Sequence, residues 1–182
     1  MNILEQEDVT GAILDKIEQR IYEIMTAYNH DRAIKLINSA STAYPNSAKL
    51  SYLKGNIFFE MFIKGDKAEI QEVLDCYQQA IKNSNEFVYI KKYTEVLLLI
   101  YNFMSNNHKE LKHSIKDIIV NNLSILETNF PELEEALFLV ARSYQVIGDM
   151  LSARKNFEKI KNNQELYNSA KFYINKILKS QV

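Results

Sequence analysis

The chain has 182 residues, 22 Lys and Arg against 23 Asp and Glu, a formal charge of -1 and a hydrophobic fraction of 47%. These are the proportions of a soluble globular protein, without the basic excess of a dedicated nucleic-acid binder. Four glycines and two prolines leave little material for β-turns or structureless linkers, so an all-helical chain is expected.

One cysteine, Cys76, excludes an internal disulfide and fits a reducing compartment. The first ten residues are acidic and carry neither a basic nor an apolar leader segment, so no signal peptide is expected. The longest apolar stretch, 96–101, is too short to cross a bilayer. A cytoplasmic location without membrane insertion follows as the expectation.

In chain order, residues 1–10 read as a short N-terminal arm, followed by a single domain over 11–182. A first helix over about 11–28 carries Ile13, Ile17, Ile21 and Ile24 at helical spacing. A second, over 31–43, puts Ala33, Ile37 and Ala40 on one stripe and is closed by Pro45. The next pair opens at Ala48. Gly55 stands where a neighbouring helix axis needs a small residue, and Phe58 follows it. Lys64-Gly65-Asp66 predicts the turn, with Asp66 as N-cap of a helix from about Lys67 that carries Tyr77 and Ala80.

Two longer helices are predicted over about 86–104 and 108–128, divided by Ser105-Asn106-Asn107 and closed by Pro131. Leu137, Val140, Ala141 and Tyr144 then mark a helix, Gly148-Asp149 a turn, and Ala153, Phe157 and Ile160 its return. A last helix over 164–180 presents Leu166, Ala170, Tyr173, Ile174 and Ile177, with Lys171, Lys176 and Lys179 on a solvated outer face.

Counted outward from Pro45 and Pro131, these small and aromatic positions resemble the tetratricopeptide repeat family, whose unit is about 34 residues of helix-turn-helix. The units fall at about 14–47, 48–87, 88–133 and 134–167, with 164–180 as capping helix. The match is specific in units one and four, and weaker in unit three, where Glu95 occupies a small-residue position. The resemblance implies an all-α, right-handed superhelical solenoid of four hairpins plus the capping helix.

It also implies a concave groove lined by the first helix of each unit. At those positions stand Glu18, Tyr22 and Met25, then Lys49, Tyr52, Asn56 and Phe59. Unit three supplies Tyr89, Lys92, Val96 and Leu99, and unit four supplies Glu135, Phe138, Arg142 and Gln145. Aromatic, amide and cationic side chains together suit a protein or peptide partner. The expected function is a non-catalytic scaffold, adaptor or chaperone that holds a protein segment, as a subunit of a bacterial multiprotein assembly or secretion system. On size and fold alone, a translocator chaperone of type III secretion is one version. The carboxylate clamp of the co-chaperone members is incomplete, since Glu18 and Tyr52 stand where lysines belong.

No catalytic residue, cofactor site or metal site is predicted, and no small-molecule substrate. His108 and His113 are five apart and face different sides of a helix. The three histidines read as exposed polar residues, and Cys76 as a buried, inert thiol. No phosphate loop, nucleophile elbow or zinc spacing occurs. Charge is uneven, however. Residues 1–18 hold Glu5, Glu7, Asp8, Asp15 and Glu18 against Lys16, whereas 154–182 hold Arg154, Lys155, Lys159, Lys161, Lys171, Lys176 and Lys179 against Glu158 and Glu165. These poles read either as solvated caps or as devices for orienting a partner or a second copy. The alternative function is therefore a helical-repeat regulator that senses a peptide, or binds nucleic acid through the basic C-terminal pole.

Overall fold

The computed structural model describes residues 3–66, 68–104 and 109–179, with side chains from Thr10 onward and that of Lys109 left aside. Among them all regular structure is α-helical. The helices are α1 (Ile3–Thr26), α2 (His30–Ala43), α3 (Ala48–Lys64), α4 (Ile70–Asn83), α5 (Phe87–Phe103), α6 (Lys109–Asn129), α7 (Glu134–Val146), α8 (Met150–Phe157) and α9 (Gln164–Lys179). Both prolines stand in turns just past a helix, as expected from their lack of a backbone N–H.

The ends of the helices follow local chemistry. Asn29 caps α2 by accepting from the backbone N–H of Arg32, and Ser47 caps α3 by accepting from Leu50. Gly65 closes α3 in the left-handed conformation at φ 76°, where a side chain would be strained. The cap of α4 departs from expectation. Glu69, not Asp66, is its N-cap, and Glu72 returns the bond to the Glu69 N–H at 3.0 Å. This reciprocal capping box satisfies two donors at once, which a lone aspartate three residues earlier does not. Residue 67 lies outside the described residues, as do the predicted turn 105–107, His108 and residue 180. Residues 3–10, expected as an arm, form the first turns of α1 instead.

The chain divides into two compact units, Met1–Asn85 and Glu86–Val182. In the first unit α1 packs on α2 and α3, and α3 packs on α2 and α4. Ile21, Ile37, Leu53 and Ile57 are fully buried there, and each contributes about 1.5–3 kcal/mol by leaving water. Gly55 lets α4 approach, because a Cβ at that position would stand 3.1 Å from the Tyr77 ring.

In the second unit α5 pairs with α6, α7 with α8, and the first helices stack in series, α5 on α7 and α7 on α9. This hairpin-on-hairpin arrangement is that of a helical repeat. Between α5 and α6 the buried Asn122 amide donates to the Thr94 hydroxyl, which itself donates to the Ile90 carbonyl at 2.8 Å. Around α7, α8 and α9, Phe157 stacks on Tyr173 with ring centroids 5.4 Å apart and 10° between planes. The short turn into α9 is held by one side chain. The Glu134 carboxylate accepts from the backbone N–H groups of Lys161, Asn162 and Asn163 at 2.6, 2.7 and 2.6 Å.

Candidate functional site

The helix α1 turns one polar stripe to solvent. Asp15, Glu18, Gln19, Tyr22, Glu23 and Thr26 recur at helical spacing and line an open cleft of about 490 Å³. Tyr22 is 44% exposed, although the rest of its stripe is polar. Its hydroxyl is held above its ordinary pKa by partial burial, then by the neighbouring Tyr52 and by Glu18, with which it shares a hydrogen bond, so it remains a neutral phenol. The cleft therefore offers one aromatic surface among three carboxylates.

Two cations approach this stripe, and both are engaged. Arg20 pairs with Glu23 at 2.6 Å. Lys49, from α3, lies between Asp15 and Glu18, with the Glu18 contact at 2.6 Å. Burial works against the charge of Lys49, but its two carboxylate partners outweigh that and hold its ammonium up at about 12. Lys49 thus stays charged and saturated, and does not serve as a free anchor for an incoming carboxylate.

The predicted groove residues of the first unit separate into two groups. Tyr22 stands exposed and Tyr52 half-buried, near enough to interact, on adjoining first helices. Asn56 is half-buried and accepts a hydrogen bond from the Tyr77 hydroxyl at 2.6 Å, so it faces the hairpin interior as well as the surface. Phe59 is half-buried. Met25, expected in the groove, belongs to the core instead, 9% exposed and clustered with Ile21, Ile24 and Ile37. It follows Ile21 by four residues, so it shares the core stripe of α1 and not the polar one.

In the second unit, Tyr89, Lys92 and Gln145 are half-buried. Val96 is fully buried between helices and Leu99 is exposed, the reverse of a shared groove role. Lys91 and Glu135 pair across α5 and α7. Phe138 packs edge-on against Phe157 at 5.6 Å and Tyr173 at 6.1 Å, so it belongs to the core cluster and does not stand free as an anchor. The Arg142 guanidinium lies 4.2 Å above the Tyr173 ring while Nη1 donates to Gln145. Stacking and this hydrogen bond together fix the planar fork.

Other sequence expectations are refined as well. His30 is buried, 9% exposed, and does not sit on an exposed helix face as expected. His113 is exposed beside Asp117. Burial pushes the Cys76 thiol up to about 11, which leaves it protonated and unreactive near neutral pH. Among the described residues no three His, Cys, Asp or Glu side chains gather as a metal site. None of the described helices is long and apolar enough to cross a membrane. Asp15, Gln19 and Glu23 are the site residues that repeat counting misses. Their signal is the four-residue spacing 15, 19, 23 on one helix face.

No protein-family model matches the chain, and no curated protein matches it. Solved structures of MamA do. One MamA crystal structure is 16% identical with a TM-score of 0.54, covering 98% of this chain and 98% of its own. A structure of the MamA RS-1 ArsTM double mutant is 14% identical with a TM-score of 0.55, covering 93% of this chain and 95% of its own. A further MamA crystal structure, 16% identical with a TM-score of 0.54, covers 84% of this chain and 73% of its own. At these identities the likeness shows the fold alone, an all-helical hairpin repeat.

Proposed function

We propose that this protein is a non-catalytic interaction scaffold, and that its first unit takes a protein segment along the exposed face of α1 and α3. The observation that carries the reading is Tyr22, an exposed aromatic ring in an open cleft walled by Asp15, Glu18 and Glu23. Aromatic side chains supply large contact area at low entropic cost, and they are frequent energetic centres of protein interfaces. Three carboxylates against Lys49 and Arg20 leave the stripe with a net negative charge, which favours a segment that brings a cation beside an apolar residue. Among the described residues nothing arranges a nucleophile, a base and an oxyanion donor together, so no reaction is proposed.

The hairpin-repeat likeness supports the same class of role, since stacked helices expose extended faces without needing a pocket. The test is co-purification from the native host, followed by mass spectrometry, with wild type, Tyr22→Ala and Asp15→Asn/Glu23→Gln compared. A partner retained by wild type and lost by both variants supports the α1 face. Truncating Tyr22 should weaken that partner by about tenfold or more, since 2 kcal/mol exceeds one decade in affinity. Charge reversal at Lys171, Lys176 and Lys179, which are exposed on α9, is the contrast. Loss of the partner in the lysine variant alone would move the site to the basic helix and overturn this reading.

A further inference from the structure

The turn between α1 and α2 and the end of α3 enclose a second cleft, of about 570 Å³, which the repeat reading leaves without a role. Its walls include Tyr28, His30, Asp31, Met61, Gly65 and Asp66. Three features set it apart from an ordinary gap between turns.

The first is the imidazole of His30. It is 9% exposed, and its Nε2 has no hydrogen-bond partner. Its Nδ1 lies 3.4 Å from the Asp66 carboxylate and its Nε2 lies 3.8 Å from that of Glu60. In a neutral imidazole one nitrogen carries the proton and the other presents a lone pair. In either neutral tautomer a lone pair therefore faces a carboxylate, acceptor against acceptor, whereas an imidazolium donates to both. A group that brings N–H donors completes that arrangement, and a group with only acceptors worsens it.

The second is charge. Asp31 and Asp66 line the cleft, and among the described residues neither is paired with a lysine or arginine. Lys64, which lies over Tyr28, is committed to Glu60. The helices α1 and α3 both end at this place and their C-terminal carbonyls add negative potential, which the N-terminus of α2, beginning at His30, offsets in part.

The third is the aromatic wall. Tyr28 is 75% exposed and holds the Lys64 ammonium 4.3 Å from its ring centroid, so the surface already accepts a cation on its face. The ring is presented outward by a left-handed backbone at φ 54°, uncommon for a residue with a side chain.

We infer that the Tyr28–His30–Asp66 cleft is a binding site for an organic cation with N–H donors, a guanidinium or alkylammonium group. The group would enter between the two turns, donate to the Asp31 and Asp66 carboxylates beside His30, and lie against Tyr28. The source is either an arginine or lysine side chain of a partner segment or a free polyamine. This site does not rest on the α1–α3 face, and it lies among residues of the inter-helix turns.

The experiment is side-chain NMR of the full chain, titrated with an acetylated, amidated arginine tetrapeptide, the same peptide with citrulline in place of arginine, and spermidine. The expected result is a saturable shift of the His30 and Tyr28 ring signals with the arginine peptide or spermidine. The tighter of the two names the source. Citrulline should bind at least about tenfold more weakly, corresponding to loss of one charge-assisted hydrogen bond. Asp31→Asn/Asp66→Asn should abolish the response, and Asp117→Asn, at an exposed position of α6 in the second unit, should leave it intact. Asp31→Asn alone, at an exposed first-turn position, keeps the test decisive if the double variant misfolds, with a several-fold weakening expected. No saturable shift with either cation, equal binding of the citrulline peptide, or an unchanged response in the aspartate variants overturns the assignment.

Discussion

Tyr77 lies flat against the backbone of Gly55, with two ring atoms 3.1 Å from where a Cβ of residue 55 would be. The ring cannot yield easily. It is fully buried, its hydroxyl is tied to Asn56 at 2.6 Å, and Tyr52 meets it edge-on at 6.1 Å. Overpacking a core of native density costs about 1–3 kcal/mol. Gly55→Leu is therefore expected to lower the thermal midpoint clearly, and Gly55→Ala to lower it less. Circular dichroism melts of both variants that overlay wild type would contradict this packing.

Phe138 and Arg142 separate stability from surface chemistry on one helix. Phe138 packs edge-on against both Phe157 and Tyr173 at the margin of the second unit's core cluster. Phe138→Ala should destabilise by about 2–4 kcal/mol, somewhat below a fully buried phenylalanine. Arg142 lies over the outer side of Tyr173, and a surface cation–π contact is worth about 0.5–1 kcal/mol. Arg142→Ala should consequently cost far less. Urea titrations of the two variants give the comparison directly, and equal losses would place Arg142 in the core.

The Glu134 clip makes the second unit sensitive to acid. Hydrogen bonds from the backbone of Asn162, then Lys161 and Asn163, hold the Glu134 carboxyl below its ordinary 4.5. A carboxyl depressed in the folded state stabilises above its unfolded value, and that contribution fades as pH falls through the lower folded value. Wild-type melts should accordingly lose stability as pH drops below 4.5, part of it through this clip. Glu134→Gln should be less stable at neutral pH and should show a flatter acid dependence. A variant that parallels wild type at every pH would rule the clip out as a contributor.

Cys76 supplies a reactivity test. With its thiol pushed up to about 11 by burial, the thiolate is scarce at neutral pH and alkylation depends on that form. Iodoacetamide should label the native protein much more slowly than the urea-unfolded chain. Similar rates in both states would mean that the thiol is open and activated.

Much of the fold is legible in the sequence because its signals are local. Pro45, Pro131 and the Gly148-Asp149 turn mark helix limits by backbone chemistry alone, and the structure keeps each in place. Gly55, Ala141 and Ala153 mark close approaches by their size, and all three are buried. The candidate site was less legible, since counting along a repeat places a residue on a helix but does not fix how far its neighbours cover it. Met25 and Val96 fall on the predicted groove positions yet are covered by adjacent helices. Asp66 was the obvious cap by residue type, but Glu69 and Glu72 cap each other reciprocally three residues later. The burial of His30 follows from the approach of the α3 end, with Glu60 and Asp66 from that distant stretch on either side of it. Nothing within a few residues of position 30 encodes that approach.

The hydrogen bond between Asn122 and Thr94 gives α5 and α6 an origin for their alignment. These helices, of 17 and 21 residues, meet through isoleucines, leucines and valines that resemble one another in shape. Such a surface permits a slide of one helical turn, 5.4 Å, at little loss of apolar contact. A buried amide does not permit it, because every displaced alignment leaves a donor without an acceptor in a dry interface. The apolar residues around the pair are therefore free to exchange for one another over time. Positions 94 and 122 can change only together, and a shape-matched apolar pair there would trade a single helix phase for tighter but less selective adhesion.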